Sequence, residues 1–219
     1  MERINRNNCL TKNGLFVRRA KPEDINDLIE ICRASFRDSL KWRGPRFFAR
    51  KQWQFILGSA YCETWVCSYD GKVEGYVVLI LDTNRYNEQK REQRVGFGML
   101  LFILLIHPWL SITKAVKTIS SEGQINIKHG EVMNSTMKAT SQLWIELIAV
   151  SSNMRRKSLG TTLLRFCELR AKDMGRKAIK LNVNKANISA IDFYENLGFV
   201  ITAETKDSYV YVKDLIPSL

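Results

Sequence analysis

Between Leu143 and Thr161 the chain reads LWIELIAVSSNMRRKSLGT, and this stretch restricts the fold more than any other. Leu143 to Val150 is apolar apart from Glu146 and too short for an ordinary helix, so it reads as a largely buried strand. Downstream, Leu159, Leu163, Phe166, Cys167 and Arg170 recur at helical spacing, which predicts a helix from about Ser158 to Met174, ended by Gly175. Strand and helix must therefore be joined by a sharp turn, and that turn carries Arg155, Arg156 and Lys157.

A helix N-terminus presents unpaired N–H groups and partial positive charge. Three cationic side chains add formal charge there, and Gly160 lets a ligand approach the backbone closely. The combination suits a pyrophosphate. The competing reading is a solvated basic turn capped by Ser158.

The 219 residues suit one domain carrying a sizeable insertion, with a flexible N-terminus over 1–14 and the insertion over 83–140. Thirty-four Lys plus Arg against 22 Asp plus Glu give a net charge of +12, which favours anionic partners. The charges are spread along the chain and no nucleic-acid motif accompanies them, so phosphate-bearing small molecules rank above nucleic acid. The five cysteines are odd in number and none forms a Cys-x-x-Cys pair, which points to reduced thiols and no metal site. The polar N-terminus MERINRNNCLTKNG lacks an apolar signal core, and a cytoplasmic location is expected.

Leu15 to Arg19 reads as a strand, and Lys21-Pro22-Glu23-Asp24 as a helix start with Ile25, Leu28, Ile29, Cys32 and Phe36 on one face. A second helix follows Pro45 and stops at Gly58, with Phe47, Phe48, Trp53, Phe55 and Ile56 as core or cleft residues. Thr64 to Tyr69, Asp70-Gly71 and Val73 to Leu81 give a hairpin with the turn that hairpins prefer. The apolar run Val95 to Trp109 falls short of the roughly 20 residues of a membrane span. Three readings are open for it: packing on the domain's own core, a homodimer interface, or peripheral contact with an anionic membrane through 95–117. Lys177 to Val183 is a strand, Asn187 to Asn196 a helix, and Phe199 to Ala203 and Tyr209 to Val212 are strands. The order makes an α/β domain with a parallel pair followed by an antiparallel end.

Two motifs in these contexts, Arg155-Arg156-Lys157-Ser158-Leu159-Gly160 and Asn187-x-x-Ala190-x-x-Phe193-Tyr194-x-x-Leu197-Gly198-Phe199, resemble the GNAT superfamily of acyl-CoA-dependent N-acetyltransferases. The resemblance extends over about 143–200, and less sharply over 15–82; it is silent over 83–140. Ser158 departs from the family pattern, which usually has glycine there.

The resemblance implies an α/β GNAT fold: a mixed central sheet of about six to seven strands flanked by helices, with a largely helical insertion between the third and fourth strands. It implies acetyl-CoA as cosubstrate, its pyrophosphate on the N–H groups from Arg156 to Thr161 beside Arg155 and Lys157. The pantetheine arm would run along Ile148, Ala149 and Val150, where two strands splay apart. Asn187 would contact that arm or cap its helix. Tyr194 would be the acid for the departing thiolate, Glu146 the base for the amine, and the Val150 N–H the oxyanion donor. Alternation would put Trp144, Glu146 and Ile148 on one face. The expected reaction is direct acetyl transfer to a small-molecule primary amine such as an amino sugar or nucleotide-sugar. A protein or peptide acceptor, or a non-catalytic acyl-CoA-binding module, is the alternative.

Overall fold

A computed structural model describes residues 8–10, 14–36, 42, 44–92 and 141–215. Eight strands form one sheet: β1 Asn8–Leu10, β2 Leu15–Arg19, β3 Cys62–Tyr69, β4 Lys72–Ile80, β5 Gln142–Val150, β6 Ala178–Asn184, β7 Val200–Glu204 and β8 Ser208–Asp214, in the order β1-β2-β3-β4-β5-β6-β8-β7. All neighbours are antiparallel except β5 and β6. The sheet thus has one strand more than the upper expectation, because Asn8–Leu10, inside the stretch expected to be flexible, pairs with Phe16–Arg18.

Helices cover both faces. Helices α1 (Ile25–Ser35) and α2 (Arg46–Gly58) bury Leu28, Ile29, Cys32, Trp53 and Ile56 against Val66, Tyr76 and Val78 on one side. Phe47 is the exception among the aromatics of α2, 60% exposed with the Lys51 ammonium over its ring. On the other side α4 (Leu159–Asp173) buries Leu159, Leu163, Phe166 and Cys167 against Trp65, Val77, Leu143 and Ile179, and α5 (Ile188–Glu195) adds Tyr194 to the same core. Between β4 and β5 lies α3 (Thr83–Glu92), which buries Tyr86 on the α1 and α2 side. It is the described part of the expected insertion; the run 95–117 and its membrane or dimer readings lie outside the described residues. Among the described residues no helix is long and apolar enough to cross a membrane.

The hairpin forms as expected, with Asp70 and Gly71 both at positive φ (49° and 75°), the geometry that matches the twist of its flanking strands. Two features then fix α4 to the sheet. A Cβ on Gly75 of β4 would lie 3.0 Å from Leu159 Cδ2 and 3.2 Å from the Ala149 carbonyl, so only glycine lets the first turn of α4 sit this close. Further along, Arg170 donates to both Glu63 oxygens at 2.7 and 3.0 Å, and Trp65 Nε1 donates to the same carboxylate at 2.9 Å. Burial alone would raise the Glu63 pKa, but these bonds and the charge of Arg19 hold it below the usual carboxylate value.

Candidate active site

Parallel pairing between β5 and β6 stops early. Gln142, Leu143, Trp144 and Ile145 pair with Ala178, Ile179, Lys180 and Leu181; beyond Ile145 the two strands share no register, although β6 keeps pairing with β8 as far as Asn184. The expected splay is therefore present, and it begins at Glu146.

Glu146 is also where β5 slips against β4. Val78 faces Leu147 and Leu79 faces Ile145, so Glu146 is the extra residue of a bulge. The slip reverses the alternation of side chains. Before it, Leu143 and Ile145 join the α4 core while Trp144 packs towards α1 and α2; after it, Ile148 and Val150 join the α4 core while Leu147 and Ala149 face the other way. The expectation that Trp144, Glu146 and Ile148 share a face is corrected: Ile148 lies opposite Trp144, because an inserted residue flips every side chain beyond it.

The backbone beyond the bulge is oriented towards the gap. Ser151 N–H donates to the Glu74 carbonyl at 2.8 Å, on the β4 side. Successive residues of a strand point their N–H and C=O groups to opposite edges, so Val150 and Ile148 present theirs to the gap. A polar, strand-like segment can pair there as an added strand would.

At the far end of β5 the turn folds tightly. Ser152–Met154 form a 3-10 turn, and Arg156 and Ser158 both take left-handed backbone, at φ 59° and 60°. The first α-helical bond of α4 runs from Thr162 N to Ser158 O at 2.9 Å, which leaves the N–H groups of Leu159, Gly160 and Thr161 ahead of it. Ser158 is the N-cap residue by position, yet its side chain makes no capping bond, so the capping role expected of it is corrected. A left-handed backbone aims its hydroxyl away from the N2 and N3 amides that a cap serves. The side chains of Arg155, Arg156 and Lys157 are exposed, with Arg155 reaching Ser35 Oγ at 3.4 Å. Leu159 points into the core, so only its backbone faces outward. Gly160 packs under α5, where a Cβ would meet Phe193 Cζ at 3.0 Å.

The acid-base candidates occupy different surroundings. Tyr194 is 7% exposed, ringed by Phe193, Phe199 and Tyr211, and burial pushes its hydroxyl pKa up, keeping the phenol protonated. Glu146 is half-buried, accepts from Trp144 Nε1 at 3.3 Å and pairs with Lys90 Nζ of α3 at 3.3 Å. Asn187 caps α5, its Oδ1 accepting from Ala190 N at 3.3 Å. Cys167 is fully buried in the α4 core and its thiol pKa is raised by that burial, which suits packing and not nucleophilic chemistry.

Sequence reasoning brought together the turn, the strand and α5, and missed two contributors. Gly75 had a readable signal, a glycine interrupting an apolar strand. Lys90, which meets Glu146 from 56 residues away, had none.

Residues 123–199 match the model of the Acetyltransferase (GNAT) family. No curated protein sequence matches significantly. Among solved structures, the PaiA N-acetyltransferase of Thermoplasma acidophilum in complex with coenzyme A superposes with a TM-score of 0.59 at 13% identity, over 92% of this chain and 99% of that one. An N-acetyltransferase of Staphylococcus aureus gives 0.56 at 13% identity, over 93% and 100%. A ribosomal-protein alanine N-acetyltransferase of Escherichia coli gives 0.55 at 12% identity, over 93% and 96%. With a mixed sheet that parts between two parallel strands, the chain has the fold of these acetyltransferase structures, and its residues 123–199, across the turn and the helix that follows, are similar to the GNAT family.

Proposed function

We propose that the domain binds acetyl-CoA in the gap between β5 and β6 and transfers its acetyl group directly to the primary amine of a small molecule, an amino sugar or nucleotide-sugar being the class that suits the basic surface. The observation that carries this reading is the parting of the strands at Glu146, which leaves backbone groups of Ile148 and Val150 directed into a gap; the turn that follows β5 leads to the amides of Leu159, Gly160 and Thr161 ahead of the first bond of α4. These elements fit the ligand: the helix start and Arg155, Arg156 and Lys157 suit a pyrophosphate, and the strand suits an amide-bearing arm. When bound, acetyl-CoA supplies an activated thioester carbonyl.

The chain's own groups would do the rest. Val150 N–H would donate to the carbonyl oxygen as negative charge builds there. Glu146, at the point where the gap closes, would take a proton from the amine, directly or through water. Tyr194, held protonated by burial, would supply a proton to the departing sulfur. Asn187 would fix the start of α5 and so the placement of Tyr194.

A peptide or protein amine is the alternative acceptor, since one structural neighbour is named as a ribosomal-protein alanine N-acetyltransferase. A non-catalytic acyl-CoA-binding module is the other, favoured by Tyr194 being packed among three rings. Calorimetry with CoA followed by a free-thiol assay across a panel of amines separates these readings. The proposal expects binding, turnover of at least one small amine, and a fall of about 100-fold or more in Tyr194→Phe, the range for a lost general acid. Unchanged turnover in Tyr194→Phe removes that residue from the mechanism, and binding without turnover of any amine favours the module.

A further inference from the structure

We infer that Lys90 is an acceptor within the molecule, so that the domain acetylates its own α3 helix. The inference rests on the reading of Glu146 as the group that takes the amine proton. A primary amine already stands at hydrogen-bond distance from that carboxylate: Lys90 Nζ lies 3.3 Å from Glu146 Oε1. The contact is built from both sides. Trp144 Nε1 holds the other carboxylate oxygen at 3.3 Å, and Lys90 Nζ lies 5.8 Å from the ring centroid of Tyr86, which is buried against the α1 and α2 core and so anchors α3. Glu146 is the residue at which β5 leaves β6, so the amine sits beside the closed end of the gap.

The Lys90 side chain is 39% exposed, open to a second reactant, and an exposed ion pair of this kind is worth no more than about 1 kcal/mol, so it releases readily. A second amine near the same point, Lys180 of β6, has its Nζ 5.3 Å from the Trp144 ring centroid.

In the step itself Glu146 takes a proton from the Lys90 ammonium, and the freed nitrogen attacks the thioester carbonyl of acetyl-CoA. A C–N bond forms, the C–S bond breaks, the sulfur leaves as thiolate and is protonated, and the amide nitrogen loses its second proton. The products are Nε-acetyl-Lys90, CoA and one proton. Loss of the ammonium also ends the ion pair and leaves the Glu146 carboxylate available to an external amine.

The test incubates the purified full chain with acetyl-CoA and follows intact mass and peptide maps. Acetylation should reach one equivalent at Lys90, run ahead of Lys51, Lys72 and Lys180, and proceed at a rate independent of protein concentration. Lys90→Arg should abolish it and Glu146→Gln should slow it at least ten-fold. Trace labelling with acetic anhydride, which needs no CoA site, supplies the opposite sign: Lys90 should become more reactive in Glu146→Gln, because the carboxylate that holds its amine is gone. Binding of CoA and turnover of an external amine without preferential labelling of Lys90 overturns the inference and leaves the proposed function standing. Absence of CoA binding overturns both.

Discussion

Ser158 offers the sharpest test of how the turn is built. Its backbone is left-handed, φ 60° and ψ 8°, and its side chain makes no capping bond. A residue with a Cβ pays about 1–2 kcal/mol for that conformation, and glycine does not. Glycine in turn loses about 0.5–1 kcal/mol more on folding through its freer unfolded chain. The two terms leave Ser158→Gly more stable by about 0.5 kcal/mol, a rise in Tm of about 1–2 °C for a chain of this size. The control is Ser158→Ala, which keeps both the Cβ and the backbone angle and loses only a hydroxyl without a capping partner, so its Tm should stay within about 1 °C of the parent. Had the serine capped α4, the same alanine would cost about 1 kcal/mol. Thermal unfolding of the three proteins, with and without CoA, measures the pair of differences. A Tm for Ser158→Ala about 3 °C low would refute the reasoning, and so would a glycine variant less stable than the parent.

At Gly160, where a Cβ would sit 3.0 Å from Phe193 Cζ, alanine asks the ring to yield a little while valine forces α4 and α5 apart. Urea unfolding should show a cost below about 1 kcal/mol for Gly160→Ala and about 1–3 kcal/mol for Gly160→Val, with CoA binding weakened most by the second. Stability should also fall on the alkaline side. Burial raises the thiols of Cys62 to about 11 and Cys67 to about 12, so above the usual value of 9.0 they ionise in the unfolded chain first. The unfolded state then binds fewer protons than the folded one, and stability drops with rising pH by at most about 1.4 kcal/mol per pH unit for each group, through the window from pH 9 to 12. Denaturant titrations at pH 8 and pH 10 check this; equal midpoints would contradict it.

Much of the architecture was legible because its signals are local. Asp70-Gly71 marked the hairpin, Pro45 and Gly58 bracketed α2, and the turn between β5 and α4 was placed within a residue of its observed limits. The bulge at Glu146 was not, since LWIELIAV carries no mark of where its pairing slips; the slip is settled by β4 across the sheet, and it sent Ile148 to the face opposite the one alternation gives. Ser158 shows a related limit. Residue type suggested a cap, while the backbone angle that the turn imposes removed the hydroxyl from the task. The approach of Lys90 to Glu146 depends on how α3 is carried over the sheet, a long-range outcome that no spacing encodes.

The four register pairs that join β5 to β6 have a mechanical meaning. They are the hydrogen-bonded seam between a plate made of β1 to β5 and a plate made of β6 to β8, with α4 packed across β4, β5 and β6 as the brace. Ile145 and Leu181 are the last pair of the seam. The amides of Ile148 and Val150, although central in the strand order, should exchange with solvent like those of an outer strand until something is laid between the plates.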